Sequence, residues 1–392
     1  MRTKDIPAGL FRLLASYGFV VVVLAFLLVL TFLGTLEQVD HGLYSVQKKY
    51  FESIVLVHWC FDVIPLPLPG AYLLMTLLFV NLCCGAIIRA RKSWRRPGML
   101  IAHSGILLLL LGGFVTFKFS IDGNMRLYEG EAANKFQSFH EWEIEIAPVD
   151  RDGAPREALI IPHADLADLK PQETRTFHSD QLPFDLVVSG YAVNSRPMPA
   201  SGAIALQPID GFYLTTLKLD KEGERNVAGA YATVAEKETG KRHEGILWGL
   251  SQHPYAVRVG DRDWTIRLTR QRWTVPFTLV LDQFTKKEHP GTNIPATFMS
   301  DVTKVEGRSH EKINITMNEP LRHHGYTFFQ SSWGPQGAGP GEQLFSVFAV
   351  VRNPADQWPL YACIVVTAGL LIHFGQKLVI FLRREQRQRQ SA

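Results

Sequence analysis

The sequence predicts a membrane protein with four transmembrane α-helices and a large exported all-β domain, folded as an antiparallel sandwich or barrel-like sheet. Two observations lead to this fold class. Four runs of the 392-residue chain are nearly free of charge, and each approaches or exceeds the ~18 residues that a helix needs to cross a bilayer. Between the third and fourth runs lies a polar segment in which short stretches alternate apolar and polar residues, as half-buried strands do.

The apolar runs divide the chain into three parts. Residues 1–117 contain three transmembrane helices with a short outer loop at 37–70, residues 118–357 form the extracytoplasmic β-rich domain, and residues 358–392 hold the fourth transmembrane helix and a basic cytoplasmic tail. The four runs are Leu13–Leu36, Ala71–Ile88, Pro97–Phe117 and Trp358–Gln376. The first run lacks a clear small-residue cleavage site before Glu37 and precedes three further spans, so we interpret it as an uncleaved anchor rather than a signal peptide.

Basic residues in the short loops predict the orientation, because lysine and arginine are translocated with difficulty. They cluster before the first run, in "RARKSWRRP" between the second and third runs, and in "RREQRQRQ" after the fourth. All three clusters lie in the cytoplasm only if the chain crosses four times. We therefore expect a multi-pass protein of the cytoplasmic (inner) membrane with both termini cytoplasmic. The net charge of +4 mainly reflects these clusters, so no nucleic-acid partner is expected.

Two other segments have a readable pattern. In the outer loop, the spacing of Tyr50, Ile54, Val57 and Phe61 predicts a short helix on the membrane surface, and a loop packed on the outer domain is the alternative. Prolines are expected to end that helix and turn the chain into the second span: Pro65, Pro67 and Pro69. In the exported domain, the predicted strands are "WEIEIAPV", "FDLVVSGYAV", "FYLTTLKL", "YAVRVG", "WTIRLTRQRWTV", "FTLVLDQF" and "KINITMNEP".

The third run contains a histidine, His103, seven residues beyond Arg96 and so roughly 10 Å along a helix, in the cytoplasmic half of the membrane. An ionisable group at this depth is costly unless it faces a partner, a cavity or a ligand. Small residues recur beside it at helical spacing: Gly98, Ala102, Gly105 and Gly112. Such a face lets another helix or a flat ligand approach closely.

The fourth run offers a second histidine, His373, ten residues before Arg383 and therefore at comparable depth, with Gly369 one turn away on the same face. Two neutral imidazoles on neighbouring helices can bind a metal, and haem iron held axially by histidine suits this spacing. The alternative is that each histidine makes a hydrogen bond to a backbone carbonyl between helices.

Histidines outside the spans carry weaker signals. His41 and His58 lie near the membrane among Tyr44, Trp59 and Phe61, and they can bind haem or a partner at the exit face; the alternative is a belt of interfacial anchors. The adjacent pair His323–His324 is expected to cap a strand or a turn. Because neighbouring residues on a strand point to opposite faces, these two are not expected to form one site.

Cysteines and catalytic motifs exclude several functions. The chain has four cysteines, and none falls between Cys84 and Cys363, so the exported domain contains no disulfide. No CxxC motif supports a thioredoxin-like site or a zinc ligand set. No Ser/His/Asp order, Gly-rich phosphate loop or HExxH motif is present, so no catalytic residue is assigned.

Four motifs in order resemble the ResB (Ccs1) family: "RRPGMLIAHSGILLLLLGGFV", "DGNMRLYEGE", "NEPLRHHGYTFFQSSW" and "NPADQWPLY". The similarity runs from about Phe11 to Leu382, and the "GYTFFQSSW" segment and the histidine-containing third span are its most specific parts. The resemblance implies a role in system II cytochrome c maturation. There a ResB-like subunit joins a ResC (CcsA)-like partner, and together they move haem across the membrane and attach it to CxxCH thiols of apocytochrome c.

The resemblance also implies site residues and partners. Haem b is carried in transit, and His103 matches the family histidine that holds haem together with one from the partner; the choice of His373 rests on depth and helix position alone. This chain lacks the partner's tryptophan-rich segment, so we expect a non-catalytic or co-catalytic subunit of a cytochrome c haem lyase (holocytochrome c synthase). Because the apocytochrome thiols must stay reduced, a thioredoxin-like thiol reductant is a further expected partner.

Two functions of other classes stay open. One is a non-enzymatic membrane-anchored sensor or scaffold with an exported β domain that binds a ligand or a protein. The other is a thiol-redox membrane protein using Cys83 and Cys84. It is disfavoured because vicinal residues in a helix point about 100° apart and a disulfide between them would be strained.

Overall fold

The structure is a computed structural model that describes residues 8–60, 63–88, 97–149, 158–200, 208–288, 291, 295–335 and 342–391. The chain divides into two compact units. One is Met1–Ile121 together with Asn353–Ala392 and is mainly helical; the other is Asp122–Arg352 and consists of β-strands. The apolar runs at the two ends of the sequence therefore fold together, and the polar segment between them forms a core of its own.

The helical unit contains α1 (Ala8–Leu14), α2 (Tyr17–His41), α3 (Leu43–Val46), α4 (Ala71–Asn81), α5 (Pro97–Phe119) and α6 (Trp358–Ser391). Two π-helical segments, Gln47–Phe51 and Leu82–Ile88, continue α3 and α4. Within the described ranges, α2, α5 and α6 are long and apolar enough to cross a membrane, so three of the four predicted spans have candidate helices. The second, Ala71–Ile88, forms a shorter apolar helix that changes to i→i+5 bonding after Asn81, so its crossing stays a prediction.

The break between α1 and α2 is fixed by polar side chains. The Ser16 hydroxyl accepts a hydrogen bond from the Phe19 amide at 3.1 Å and caps the start of α2. The buried Asn81 amide at the end of α4 donates to the Leu14 and Ser16 carbonyls, at 2.5 and 3.2 Å. These contacts satisfy backbone groups that a helix end leaves free, and they tie α4 to α2 in an apolar environment.

α5 and α6 run antiparallel with their backbones in close contact. A Cβ atom on Gly98 would lie 2.5 Å from the Gly369 carbonyl oxygen, and one on Gly105 would lie 2.9 Å from the Val366 nitrogen. At the other end of α5, a Cβ atom on Gly112 would lie 3.2 Å from the Trp358 Cβ. The small-residue face of the third span was expected to lie against either another helix or a flat ligand. The structure shows a helix there, because α6 of the same chain covers this face.

The outer loop differs from the predicted surface helix. After the π-helical segment, the chain forms a hairpin of β1 (Val55–Cys60) and β2 (Ile64–Pro69), in which Val57 pairs with Pro67. The helix prediction is wrong here because the apolar spacing was coincidental, and Phe61 lies outside the described residues. The alternating prolines of β2 do not end a helix; they fit a strand whose outer edge needs no N–H donor.

The β unit confirms the predicted antiparallel, barrel-like class. Its strands are β3 (Ile121–Tyr128), β4 (Ala132–Val149), β5 (Leu159–Ile161), β6 (Thr174–Phe177), β7 (Phe184–Ala192), β8 (Ser195–Pro199), β9 (Phe212–Thr216), β10 (Gly229–Glu236), β11 (Arg242–Trp248), β12 (Tyr255–Val259), β13 (Arg262–Glu288), β14 (Pro295–Glu306), β15 (Ser309–Thr316), β16 (Leu321–His323), β17 (Tyr326–Gly334) and β18 (Phe345–Arg352). The described connections of this unit include two short 3-10 helices, His163–Asp165 and Gly223–Arg225, and the paired strands of its sheets run antiparallel.

Ten strands form one large sheet in the order β15-β14-β13-β4-β3-β18-β17-β16, with β12 beside β13 and β5 beside β4. Its two end strands, β15 and β16, contact each other, so the sheet is nearly closed into a barrel. A four-stranded sheet, β11-β10-β7-β6, covers part of it, and alternate residues from both sheets form the main core, including Trp142, Leu186 and Ile266. The stretches around Pro276, predicted as two strands, form the single strand β13, because bulges absorb the irregular residues.

Candidate functional site

His103 lies on α5 with its side chain partly exposed, and its Nδ1 atom is 2.7 Å from the carbonyl oxygen of Met99, one turn earlier. A carbonyl oxygen only accepts, so this contact requires the proton on Nδ1. Nε2 is then the basic nitrogen with a free lone pair. A hydrogen bond from the histidine to a backbone carbonyl, the alternative to metal binding in the sequence analysis, is therefore present, but it lies within α5 and not between helices. The same hydrogen bond fixes the tautomer that a metal-binding imidazole needs.

The direction of His103 follows from its neighbours. Ala102 is buried and its backbone faces Gly369, so it lies in the seam between α5 and α6. His103 is the next residue, about 100° further round the helix. The imidazole therefore lies on the flank of the helix pair, outside the seam.

His373 lies on α6 at a different level. Its backbone nitrogen is 2.5 Å from the position of a Cβ atom on Gly98, and its ring meets that of Phe374 edge-on with centroids 5.5 Å apart. Gly98 and His103 are five residues apart, which is ~7.5 Å along the helix and about 140° around it. The structure therefore places both predicted residues on packed helices, with the backbone of His373 beside Gly98, about 7.5 Å along α5 from His103. The assignment of both as ligands stays a prediction.

A second cluster lies in the helical unit, where α2 ends. The Tyr50 hydroxyl is 2.5 Å from Glu37 Oε2 and 2.6 Å from His58 Nδ1, and Lys49 Nζ is 2.6 Å from Glu37 Oε1. The Tyr50 ring is fully buried among Val46, Leu56 and Leu74 and similar residues of α2, α4 and the hairpin. Three separate segments thus bring these polar groups together around one buried phenol.

The order of donors in this cluster is determined by the carboxylate. A carboxylate paired with a lysine only accepts, so Tyr50 donates to Glu37 and its oxygen accepts from His58 Nδ1–H. Burial, followed by the hydrogen bond to Glu37, raises the pKa of Tyr50 well above its ordinary range, which keeps the phenol protonated. As with His103, the basic nitrogen of His58 is Nε2. The contact between Glu37 and Tyr50 had no signal in the sequence, because the two residues lie in a helix and a π-helical segment that no spacing rule relates.

The other residues singled out in the outer loop are arranged more loosely. His41 Nδ1 is 3.9 Å from Glu37 Oε1, and Lys48 lies over the Tyr44 ring at 4.7 Å from its centroid. Trp59 is half exposed on β1, as an interfacial anchor would be. The structure therefore brings His41 and His58 to one carboxylate, with His58 the more buried of the two.

The expectation that His323 and His324 do not form one site is wrong. Both Nε2 atoms lie 2.8 Å from the carboxylate of Glu306, one on each oxygen. Strand alternation does not apply, because β16 ends at His323 and His324 has a positive φ of 48° in the following turn. Hydrogen bonds from the two imidazoles hold the pKa of Glu306 below its ordinary value.

All of the segment "GYTFFQSSW" except its first glycine lies on β17, and its glutamine, Gln330, is buried. The Gln330 side-chain oxygen accepts from Ser300 at 2.7 Å, and its nitrogen donates to the Ser346 hydroxyl at 2.9 Å and to the Ser332 carbonyl at 3.1 Å. Ser300 and Ser346 are also 2.9 Å apart. The network links β14, β17 and β18 inside the nearly closed sheet, so this part of the motif holds the fold together and is not exposed to a ligand.

Comparisons with known proteins identify related sequences. The profile of the ResB-like family matches residues 255–342, from β12 to the segment before β18. Protein NrfI of Wolinella succinogenes is 22% identical over 364 residues, which cover 92% of this chain and 35% of NrfI. The chain therefore spans about a third of the length of this curated relative. The matched profile includes β17 and its buried glutamine.

Proposed function

Since the chain belongs to the ResB-like family, we propose that it is a membrane subunit of a system II cytochrome c maturation complex. In this proposal it acts with a ResC/CcsA-like membrane protein to carry haem b across the cytoplasmic membrane. Haem is the cargo, and the complex attaches it to the CxxCH thiols of apocytochrome c outside. Family membership supports cytochrome c biogenesis in general, and the geometry of His103 supports the haem-carrying step.

His103 is the proposed axial ligand. Its Nδ1 atom is held by the Met99 carbonyl at 2.7 Å, and Nε2 is the nitrogen left to bind iron. Because α6 covers the small-residue face of α5, a porphyrin would approach from the flank on which His103 lies. This favours a second ligand from the partner protein over His373, whose backbone faces Gly98.

The attachment step constrains the redox partners. A thioether forms when a reduced cysteine sulfur adds to a haem vinyl group and the vinyl carbon takes up the thiol proton. The apocytochrome thiols must therefore be kept reduced, and we propose a thioredoxin-like reductant as a further partner. Residues 85–362 of this chain contain no cysteine that would compete in disulfide exchange. This chain acts as a non-catalytic or co-catalytic subunit of the haem lyase.

The proposed topology has four crossings, both termini in the cytoplasm and the β unit outside. Three helices of sufficient length and the apolar run Ala71–Ile88 support it. The basic clusters then all lie on the cytoplasmic side. At the outer end, His58 is the histidine whose orientation best suits contact with haem or a partner, because Tyr50 and Glu37 fix its ring.

The test is an absorption spectrum of the chain purified in detergent after co-expression with its ResC-like partner. We expect a Soret band with low-spin features in the wild type, lost or shifted in His103→Ala and retained in His373→Ala. Ser104→Ala is the matched control, because Ser104 is the adjacent residue and also bonds to a carbonyl one turn earlier, Leu100 at 3.0 Å.

The remaining outcomes separate the other functions. An unchanged spectrum in His103→Ala removes that residue as a ligand. No haem in any sample, with the partner present, favours a sensor or scaffold instead. The thiol-redox alternative is tested by replacing Cys83 and Cys84 with serine; undiminished cytochrome c excludes it.

A further inference from the structure

Two hairpin turns of the β unit meet at one carboxylate. Glu306 ends β14 at the turn into β15, where it pairs with Ser309, and His323 ends β16 at the turn into β17, where it pairs with Tyr326. His323 Nε2 and His324 Nε2 each lie 2.8 Å from one oxygen of Glu306. The ligand atoms of all three residues lie within 4.8 Å of one another.

The second turn has an unusual residue for its backbone. His324 and Gly325 have φ angles of 48° and 77°, and two consecutive positive φ values define the type of hairpin turn that favours Asn-Gly or Gly-Gly. A histidine at the first of these positions is uncommon. Its effect is to place the His324 ring beside that of His323, with centroids 4.2 Å apart, on the side of the turn that faces Glu306.

The surroundings hold these rings in place. The His323 ring packs edge-on against Phe277 of β13, with centroids 5.2 Å apart. Two residues before Glu306 on β14, Lys304 is paired with Glu311 of β15 at 2.7 Å, and this pair offsets the positive charge of the lysine. The side chains of Glu306 and His324 are 39% and 50% exposed, so the group is open to solvent on one side.

We propose that Glu306, His323 and His324 form a binding site for a divalent transition-metal ion. Two imidazole nitrogens and a carboxylate suit zinc, copper or nickel, whereas calcium and magnesium prefer oxygen ligands alone. At bond lengths of about 2.0–2.2 Å and tetrahedral angles, adjacent ligand atoms lie ~3.3–3.6 Å apart, so each of the present 2.8 Å contacts opens by roughly 0.5–0.8 Å when the metal binds. The exposed side leaves coordination positions for water or an external ligand. The site is separate from the proposed transport of haem.

The test uses the full chain in detergent, purified without a histidine tag and stripped of metal. Titration with Zn²⁺ by calorimetry should show a saturable site, and electron paramagnetic resonance with Cu²⁺ should show coupling to imidazole nitrogen. His324→Asn is the most informative variant, because asparagine suits the same backbone conformation and leaves the turn intact. We expect it to weaken Zn²⁺ binding at least about tenfold and to change the Cu²⁺ spectrum.

Two further variants complete the experiment. His323→Ala should also weaken binding, and it provides a second readout if His324→Asn disturbs folding. His243→Ala is the control, because His243 pairs with Glu236 at 2.7 Å without a second histidine on that carboxylate in the described structure. Binding should be unchanged there. If no saturable site appears, or if neither cluster variant alters binding, the proposal is overturned and the three residues are an ion-paired link between two turns.

Discussion

Individual residues determine whether the buried polar groups of this fold have hydrogen-bond partners. Gln330 is the clearest case, because a long polar side chain lies inside the β unit and both ends of its amide have partners. Tyr50 has the same role in the helical unit, between Glu37 and His58. A buried polar group without partners is costly, so these residues constrain their neighbours as strongly as apolar ones do.

Replacing Gln330 tests this directly. Gln330→Ala should lower the stability of the β unit by about 2–4 kcal/mol, since it leaves a cavity and removes the partners of two buried hydroxyls. Gln330→Met keeps most of the volume and should cost less. Gln343, which is exposed and donates to the Glu129 carbonyl at 2.7 Å, gives the control Gln343→Ala. The measurement is thermal unfolding in detergent followed by near-ultraviolet circular dichroism; equal midpoints for all variants would contradict the argument.

At the scale of elements, the sequence pattern predicted strands correctly where apolar and polar residues alternate strongly. It missed strands and turns whose conformation depends on contacts with distant parts of the chain. The predicted strand "KINITMNEP" overlaps β15 only in its first five residues, because β15 begins three residues earlier and ends at Thr316. β10, which is central in its sheet, was missed because "GAYATVAE" is rich in small residues of low strand propensity. The prediction for His323 and His324 assumed that both lie on a strand and point to opposite faces. β16 ends at His323, however, and His324 and Gly325 occupy the positive-φ positions of the turn that follows. The site at Glu306 was therefore not foreseen.

Long-range partners were also beyond local pattern. The sequence indicates the small residues of α5 but not which surface covers them, since a helix and a flat ligand both suit a glycine face. Glu37, Tyr50 and His58 come from a helix, a π-helical segment and a strand, and no spacing rule relates them. His103 could be singled out because a lone ionisable residue within an apolar run is visible without any knowledge of its contacts, and its role as a ligand stays a prediction.

The packing of α5 against α6 gives a prediction about elements. A Cβ atom on Gly105 would lie 2.7 Å from Val366 Cγ2 and 3.0 Å from the Ala362 carbonyl oxygen, so Gly105→Leu should force the helices apart. Overpacking of this kind costs about 1–3 kcal/mol or more. Gly113→Leu on the same helix is the control, because no atom lies within 4 Å of its Cβ position. We expect a lower unfolding midpoint for Gly105→Leu alone, and matching midpoints would show that the seam tolerates a side chain.

At the scale of the whole molecule, the two ends of the chain are linked by the antiparallel contact of α5 and α6. If both helices cross the membrane, the chain leaves α5 at Phe119 and enters α6 at Trp358 on the same side. The side on which residues 120–357 emerge then depends on whether α4 with its π-helical extension also crosses. If the N terminus is cytoplasmic, the basic segment 89–96 is cytoplasmic with four crossings and lies outside without a crossing by α4.

Thiol labelling in intact cells distinguishes these topologies. Starting from a chain whose four cysteines are replaced by serine, Ser93→Cys marks the basic loop and Ser251→Cys marks an exposed position of the β unit. Four crossings predict that a membrane-impermeant maleimide labels the cysteine at 251 without permeabilisation and the one at 93 only after it. The reverse pattern would place the β unit in the cytoplasm, and with a cytoplasmic N terminus it would mean that α4 does not cross. A haem-delivering role outside would then be untenable, because apocytochrome c could not meet this domain.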